Sequence, residues 1–141
     1  HCTDGYLIVD ELVRNHVQCL LGPTVGGKGK IEARNKTFKA GQILENAGIT
    51  FGLIPDAPFV PIEGQLLQAA LYVKNGLSRE MALKCLTINN AIITDVDSRV
   101  GSLEPGKDAD VVIWDVEPLA TLSQAGIVII DGQIAYRRKA C

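Results

Sequence analysis

Apolar positions change their spacing along the chain, and each change predicts an element. Over residues 4–15 (DGYLIVDELVRN), Ile8, Val9, Leu12 and Val13 fall at helical spacing, with Thr3 or Asp4 placed to cap the start. VQCLL at 17–21 is short and continuously apolar, as in a strand buried on both faces, and Gly22-Pro23 ends it. After the loop GPTVGGKGK, Ala40, Ile43, Leu44 and Ala47 recur at i, i+3, i+4 and i+7, an amphipathic helix with Gly48 where a left-handed cap is wanted. ITFGLI at 49–54 is a second run of the buried-strand type. It leads into PDAPFVP, where three prolines in seven residues exclude regular structure and leave Asp56 on a stiff loop. A third helix is expected over 63–75, with Leu66, Leu67, Ala70, Leu71 and Val73 inward and Gly76 as its stop. Ser78 caps a short fourth helix through about Leu86. The alternation of strands and helices predicts a parallel α/β unit with right-handed crossovers.

The pattern changes after Gly101. Pro105-Gly106 is a turn signal ahead of the apolar run Val111–Trp114. IVII and QIAY flank Asp131-Gly132, the pair favoured in a type I′ hairpin. The tail is therefore expected to be a small β module, with a boundary near 95–100. No internal repeat is evident.

Composition narrows the possibilities. The chain has 141 residues, enough for one domain with a core but fewer than the ~250 of a complete (β/α)8 barrel. A 47% hydrophobic content excludes a disordered segment, and a net charge of −2 offers no basic face for nucleic acid. No apolar run approaches the ~18 residues of a membrane span, and no signal-peptide pattern is visible. The first residue is His1, not Met, so a processed chain or a piece of a longer one is expected. Cys2, Cys19, Cys85 and Cys141 form no C-x-x-C pair and are expected to be reduced, mostly buried thiols of a cytoplasmic protein.

In parallel α/β folds, reactive groups collect at the C-terminal ends of strands. Asp56 directly follows one strand, and His1 precedes a helix start, where a strand would end. In a closed barrel both positions face one mouth, and an imidazole with a carboxylate suits a divalent metal. The plain alternatives are a turn-forming aspartate and a terminal histidine. His16 ends a helix, where a cation meets the dipole favourably. Gly22 to Lys28 satisfies G-x-x-x-x-G-K, but Gly29 stands where a phosphate loop needs Ser or Thr, and Pro23 removes a donor. Lys28, Lys30 and Arg34 are either a solvated charge run or contacts for an anionic substrate group.

Taken together, HCTDGYLIVDEL, GPTVGGKGKIEARNKTF at 22–38, GITFGLIPDAP at 48–58, EMALKCLTINNA at 80–91 and RVGSLEPGKDADVVIWD at 99–115 resemble the C-terminal part of the metal-dependent amidohydrolase superfamily. The nearest members are imidazolonepropionase-like enzymes and related dipeptidases. The resemblance implies the last three βα units of a (β/α)8 barrel over 1–98 and the C-terminal part of a composite β-sandwich over 99–141. It implies that His1 is the metal-ligating histidine ending the sixth strand. It implies that Asp56 is the aspartate ending the eighth, which binds metal and serves as the proton-transfer base. Pro55 and Ala57 depart from the usual Ser or Thr and His beside that aspartate, and Asn90 replaces the proline of Thr-x-Asn-Pro-Ala. The His-x-His pair of the first strand, the lysine of the fourth and the histidine of the fifth fall outside this chain.

The implied activity is hydrolysis of a carbon–nitrogen bond in a small-molecule non-peptide or cyclic amide, or a dipeptide. The implied cofactor is a divalent metal, zinc, as one or two ions, with Lys28 and Arg34 as substrate contacts. The isolated chain, lacking most of the metal ligands, is expected to be inactive. Two further readings stay open: a non-catalytic piece that self-associates or complements the missing N-terminal barrel half, and a phosphate-loop nucleotide binder. Neither nucleic acid nor a membrane is an expected partner.

Overall fold

Two short apolar runs become the sheet at the centre of the core. In the computed structural model, which describes residues 1–139, Cys19–Leu21 (β1) and Phe51–Leu53 (β2) pair in parallel, Cys19 opposite Phe51 and Leu21 opposite Leu53. Leu21, Phe51 and Leu53 are completely buried. Each strand is shorter than its apolar run, because Val17 and Gln18 are exposed. The expected thiol Cys141 lies outside the described residues.

Helices pack over these strands. Lys39–Asn46 (α2) buries Ala40, Gly41 and Leu44, and Gly48 ends it at φ +70° as the sequence predicts. Gly41 is required by packing, since a Cβ there would fall 2.8 Å from Tyr72 Cδ1. Arg79–Leu86 (α4) starts on Ser78, whose Oγ accepts from the Met81 N–H at 3.1 Å while its own N–H donates to Glu45 at 2.9 Å. Loss of such a cap costs ~1 kcal/mol. Ser78→Ala is thus expected to lower the stability measured by denaturant unfolding by that amount without changing the slope.

Three expectations need correction. The first helix is split into a 3-10 turn, Gly5–Ile8, and a short helix, Val9–Arg14 (α1). Ile8 and Val13 are exposed, Leu12 alone is fully inward, and Asp4 makes no capping bond. Instead, Asp4 Oδ2 accepts from Asn35 Nδ2 at 3.2 Å. The third helix, Gln65–Lys74 (α3), fully buries Gln68, Ala69 and Tyr72, while the expected Leu66 and Val73 pack half-buried against the core and Leu67 is 53% exposed. Its inner face covers strand ends whose main-chain groups need polar partners, so hydropathy alone misses its most buried positions. Ile88–Ile93 (α5), not expected, follows a backbone break at Thr87, and its Asn89 donates to the Phe51 carbonyl at 2.9 Å.

The tail folds as Val111–Trp114 (β3), Ala125–Ile130 (β4) and Gln133–Arg137 (β5), an antiparallel sheet in that order. Asp131 and Gly132 both have positive φ, 50° and 74°, as a type I′ turn demands. Among the described residues of the tail, only Leu119 joins the buried core cluster. Among the described residues no helix is long and apolar enough to cross a membrane.

Candidate functional site

His1 and Asp56 meet. His1 Nε2 lies 3.0 Å from Asp56 Oδ1, with the side chains 47% and 39% exposed. One strand edge and one strand end produce this meeting. The Cys2 N–H donates to the Leu20 carbonyl at 2.8 Å, laying the segment that carries His1 along the edge of β1 away from β2. On the other side, Asp56 follows β2 after Ile54 and Pro55. Asp56 itself turns into the left-handed region at φ 60°, which aspartate tolerates better than most side chains. Its carbonyl accepts from the Phe59 N–H at 2.9 Å, closing the turn.

The site rests on polar side chains that hydropathy does not single out. Gln65 Nε2 donates to the Leu53 carbonyl at 2.6 Å, and Asn90 Nδ2 to the same oxygen at 3.1 Å. A proline at 90 could not supply this bond, so the departure from the family pattern adds an anchor at the end of β2. Gln68 Nε2 donates to the Ile54 carbonyl at 3.0 Å, and its Oε1 accepts from the Thr24 N–H at 2.8 Å. Thr24 Oγ1 in turn bonds the buried Tyr72 hydroxyl, whose pKa burial raises. The available signal was glutamine at i and i+3 on a helix that follows a strand, a polar pair on one face.

The glycine-rich loop is tied to itself. Lys28 Nζ donates to the Arg34 carbonyl at 3.1 Å, and Lys36 Nζ to the Gly27 carbonyl at 3.2 Å. Among the described residues neither Lys28 nor Arg34 bonds His1 or Asp56. The loop leads into a 3-10 turn of three residues, Ile31–Ala33. A phosphate loop must open a helix, so that expectation is corrected. His16 is exposed just past α1 at φ 53°, a helix-end position.

The donor set of this chain is partial. No group of three or more His, Cys, Asp or Glu side chains able to hold a metal occurs among the described residues. The imidazole and carboxylate are suitable zinc donors, but a catalytic zinc normally takes three protein ligands. The residues present therefore fit as part of a larger set. Sulfur does not complete it: Cys2 and Cys19 lie 3.4 Å apart as free thiols, and burial pushes the Cys19 thiol up to about 12. Cys85 is likewise raised to about 12 by burial and donates to the Phe51 carbonyl at 3.0 Å. A cavity of about 700 Å³ opens elsewhere, between α3, α4, α5 and β3, and neither His1 nor Asp56 lines it.

Comparison with known proteins agrees with this architecture. The amidohydrolase family profile matches residues 14–135. An amidohydrolase of Hapsidospora irregularis is 34% identical over 107 residues, 76% of this chain and 11% of that protein. An imidazolonepropionase of Picrophilus torridus is 46% identical over 41 residues, 29% of this chain and 10% of that protein. The crystal structure of an amidohydrolase from Thermotoga maritima superposes with a TM-score of 0.94 at 36% identity, covering 98% of this chain and 36% of that one. Guanine deaminase of E. coli shares the fold, with a TM-score of 0.65 at 18% identity over 93% of this chain and 36% of that one. The chain thus spans about a third of the Thermotoga structure and about a tenth of the Hapsidospora protein.

Proposed function

The chain belongs to the amidohydrolase family, whose solved members imply a TIM-barrel-type fold, and on that premise we propose that it is part of a metal-dependent hydrolase of carbon–nitrogen bonds. In this reading residues 1–98 are the last three βα units of the barrel and 99–141 a segment of the β-sandwich. The observation that carries the proposal is the 3.0 Å approach of His1 Nε2, on the segment beside β1, to Asp56 Oδ1, just beyond the end of β2. The two side chains would hold a divalent ion, zinc in one or two copies, with further ligands from the rest of the protein. Such an ion supplies Lewis acidity toward a carbonyl oxygen and lowers the pKa of nearby water.

The chain's own residues do the rest. Asp56 accepts a proton from the attacking water on its carboxylate and delivers it to the leaving nitrogen. Its partial exposure leaves an oxygen open to substrate. The imidazole of His1 orients that carboxylate. Lys28 and Arg34 lie in the loop after β1, where they would contact an anionic part of a small-molecule amide substrate. A cytoplasmic location belongs to the same proposal, on the cysteine spacing in the sequence.

Removing metal from the full-length protein with a chelator is expected to abolish hydrolysis, and zinc to restore it. Undiminished turnover by the metal-free protein would count against the proposal.

The same reading gives the isolated chain a need for partners. Among the described residues β2 pairs with β1 alone, so its other edge adjoins no strand. An unpaired edge favours association. The 141-residue chain is expected to sediment as dimers or larger species, or to bind the remaining barrel half. A stable monomer at high concentration that ignores that half would contradict this.

A further inference from the structure

One carboxamide joins the two loops that follow β1 and β2. Gln68 is 2% exposed. Its Oε1 accepts from the Thr24 N–H at 2.8 Å and, more weakly, from the Val25 N–H at 3.4 Å, while Nε2 donates to the Ile54 carbonyl at 3.0 Å. The amide cannot be reversed here, because the partners on one side are donors and on the other an acceptor. Gly22 makes the approach sterically feasible: a Cβ there would lie 2.4 Å from the Ile54 oxygen and 3.1 Å from Gln68 Nε2. Ile54 stands two residues before Asp56, and Gln65 and Asn90 hold the Leu53 carbonyl beside it. The Ile54 N–H donates to the Leu21 carbonyl of β1 at 3.1 Å, and the Ile54 carbonyl, from which the chain leaves toward Asp56, is held by a side chain on α3.

We propose that Gln68 is a positioning residue of the hydrolase, its carboxamide locking the Ile54 peptide to the Thr24–Val25 loop and so setting where the Asp56 carboxylate stands. This rests on the reading of Asp56 as the proton-transfer base. A displacement of about 1 Å at a reacting group can cost ~10²-fold in rate, so a support of this kind affects kcat more than substrate affinity.

The variants to compare are Gln68→Leu and Gln68→Glu, made in the full-length, zinc-loaded enzyme, with Asp56→Asn in parallel. Gln68→Leu loses every bond, and kcat per bound metal is expected to fall by about tenfold or more with KM little changed. Gln68→Glu reports the mechanism. A carboxylate can accept from Thr24 but cannot donate to the Ile54 carbonyl, whereas the neutral acid does both and matches the amide in shape. Burial raises the pKa of a glutamate placed there. Thr24, whose N–H donates to Gln68, carries a hydroxyl bonded to that of Tyr72, and no charged side chain bonds Gln68 among the described residues.

The kcat of Gln68→Glu relative to wild type should therefore climb as pH falls, while the ratio for Gln68→Leu stays flat. A residue serving stability alone would lower the melting temperature and leave kcat per metal-loaded site unchanged in both variants. That outcome, or a pH-independent ratio for Gln68→Glu, overturns the proposal. Because the protonated glutamate is isosteric, the comparison survives if Gln68→Leu does not fold. Full activity in Asp56→Asn would overturn the reading of Asp56 and this proposal with it. An inactive Asp56→Asn beside wild-type activity in the Gln68 variants would overturn this proposal alone.

Discussion

Asp56→Asn in the full-length enzyme is expected to lower kcat by at least ~10²-fold at saturating zinc. The substitution isolates proton transfer from folding. Asparagine is isosteric with aspartate and accepts the left-handed backbone seen at φ 60°. The side chain is 39% exposed and contacts His1 at the surface, so little stability rests on it. A carboxamide can still neighbour an imidazole, but it takes up no proton near neutral pH. Steady-state kinetics with metal analysis and a thermal melt check this together. Low turnover with an unchanged melting temperature is expected; wild-type turnover with metal retained would remove Asp56 from the mechanism.

Gly22→Ala is expected to be strongly destabilising, at ~3 kcal/mol or more. Two costs combine there. The backbone sits at φ +122°, a conformation that side chains rarely adopt, and the new Cβ would lie 2.4 Å from the Ile54 carbonyl oxygen. That oxygen is held by Gln68, so relief requires moving the strand end that leads to Asp56. Gly26→Ala is the control, since Gly26 also has a positive φ, 107°, but a methyl group there would meet nothing within 4 Å. Denaturant unfolding of the two variants should give a clearly larger loss for Gly22→Ala, with a fall in kcat in that variant only. Equal losses would show that the crowding at Ile54 is unimportant.

Some of this architecture was legible in the residues. Asp131-Gly132 between two apolar runs specified its hairpin, because few residues accept the backbone that a type I′ turn imposes. Gly48 and Ser78 marked helix ends for similar local reasons, a left-handed cap and a hydroxyl acceptor. The two central strands were visible as apolar runs, although their ends were not, since pairing rather than hydropathy decides where a strand stops. The most buried position of α3 was illegible. Gln68 is polar by any scale and is nonetheless buried, because strand-end peptides need a partner that both donates and accepts. Likewise, α5 was hidden by Asn89 and Asn90, which look like loop formers but serve the β2 carbonyls.

The meeting of His1 with Asp56 has no local signature either. It depends on two segments far apart in sequence running alongside one strand, which a barrel topology implies and a pairwise pattern does not. The glycine-rich loop illustrates the opposite failure. Its G-x-x-x-x-G-K spacing suggested a phosphate site, but spacing without a following helix leaves no convergent row of N–H groups. In the structure Lys28 folds back onto the main chain of Arg34.

The central claim is that the imidazole and the carboxylate share one metal ion. A crystal structure of the full-length, zinc-loaded enzyme, with data collected at the zinc absorption edge, tests it directly. The expected result is an anomalous peak about 2.0–2.1 Å from a nitrogen of His1 and ~2.0–2.2 Å from an oxygen of Asp56. Zinc bound elsewhere, with His1 and Asp56 still paired only to each other, would contradict the account.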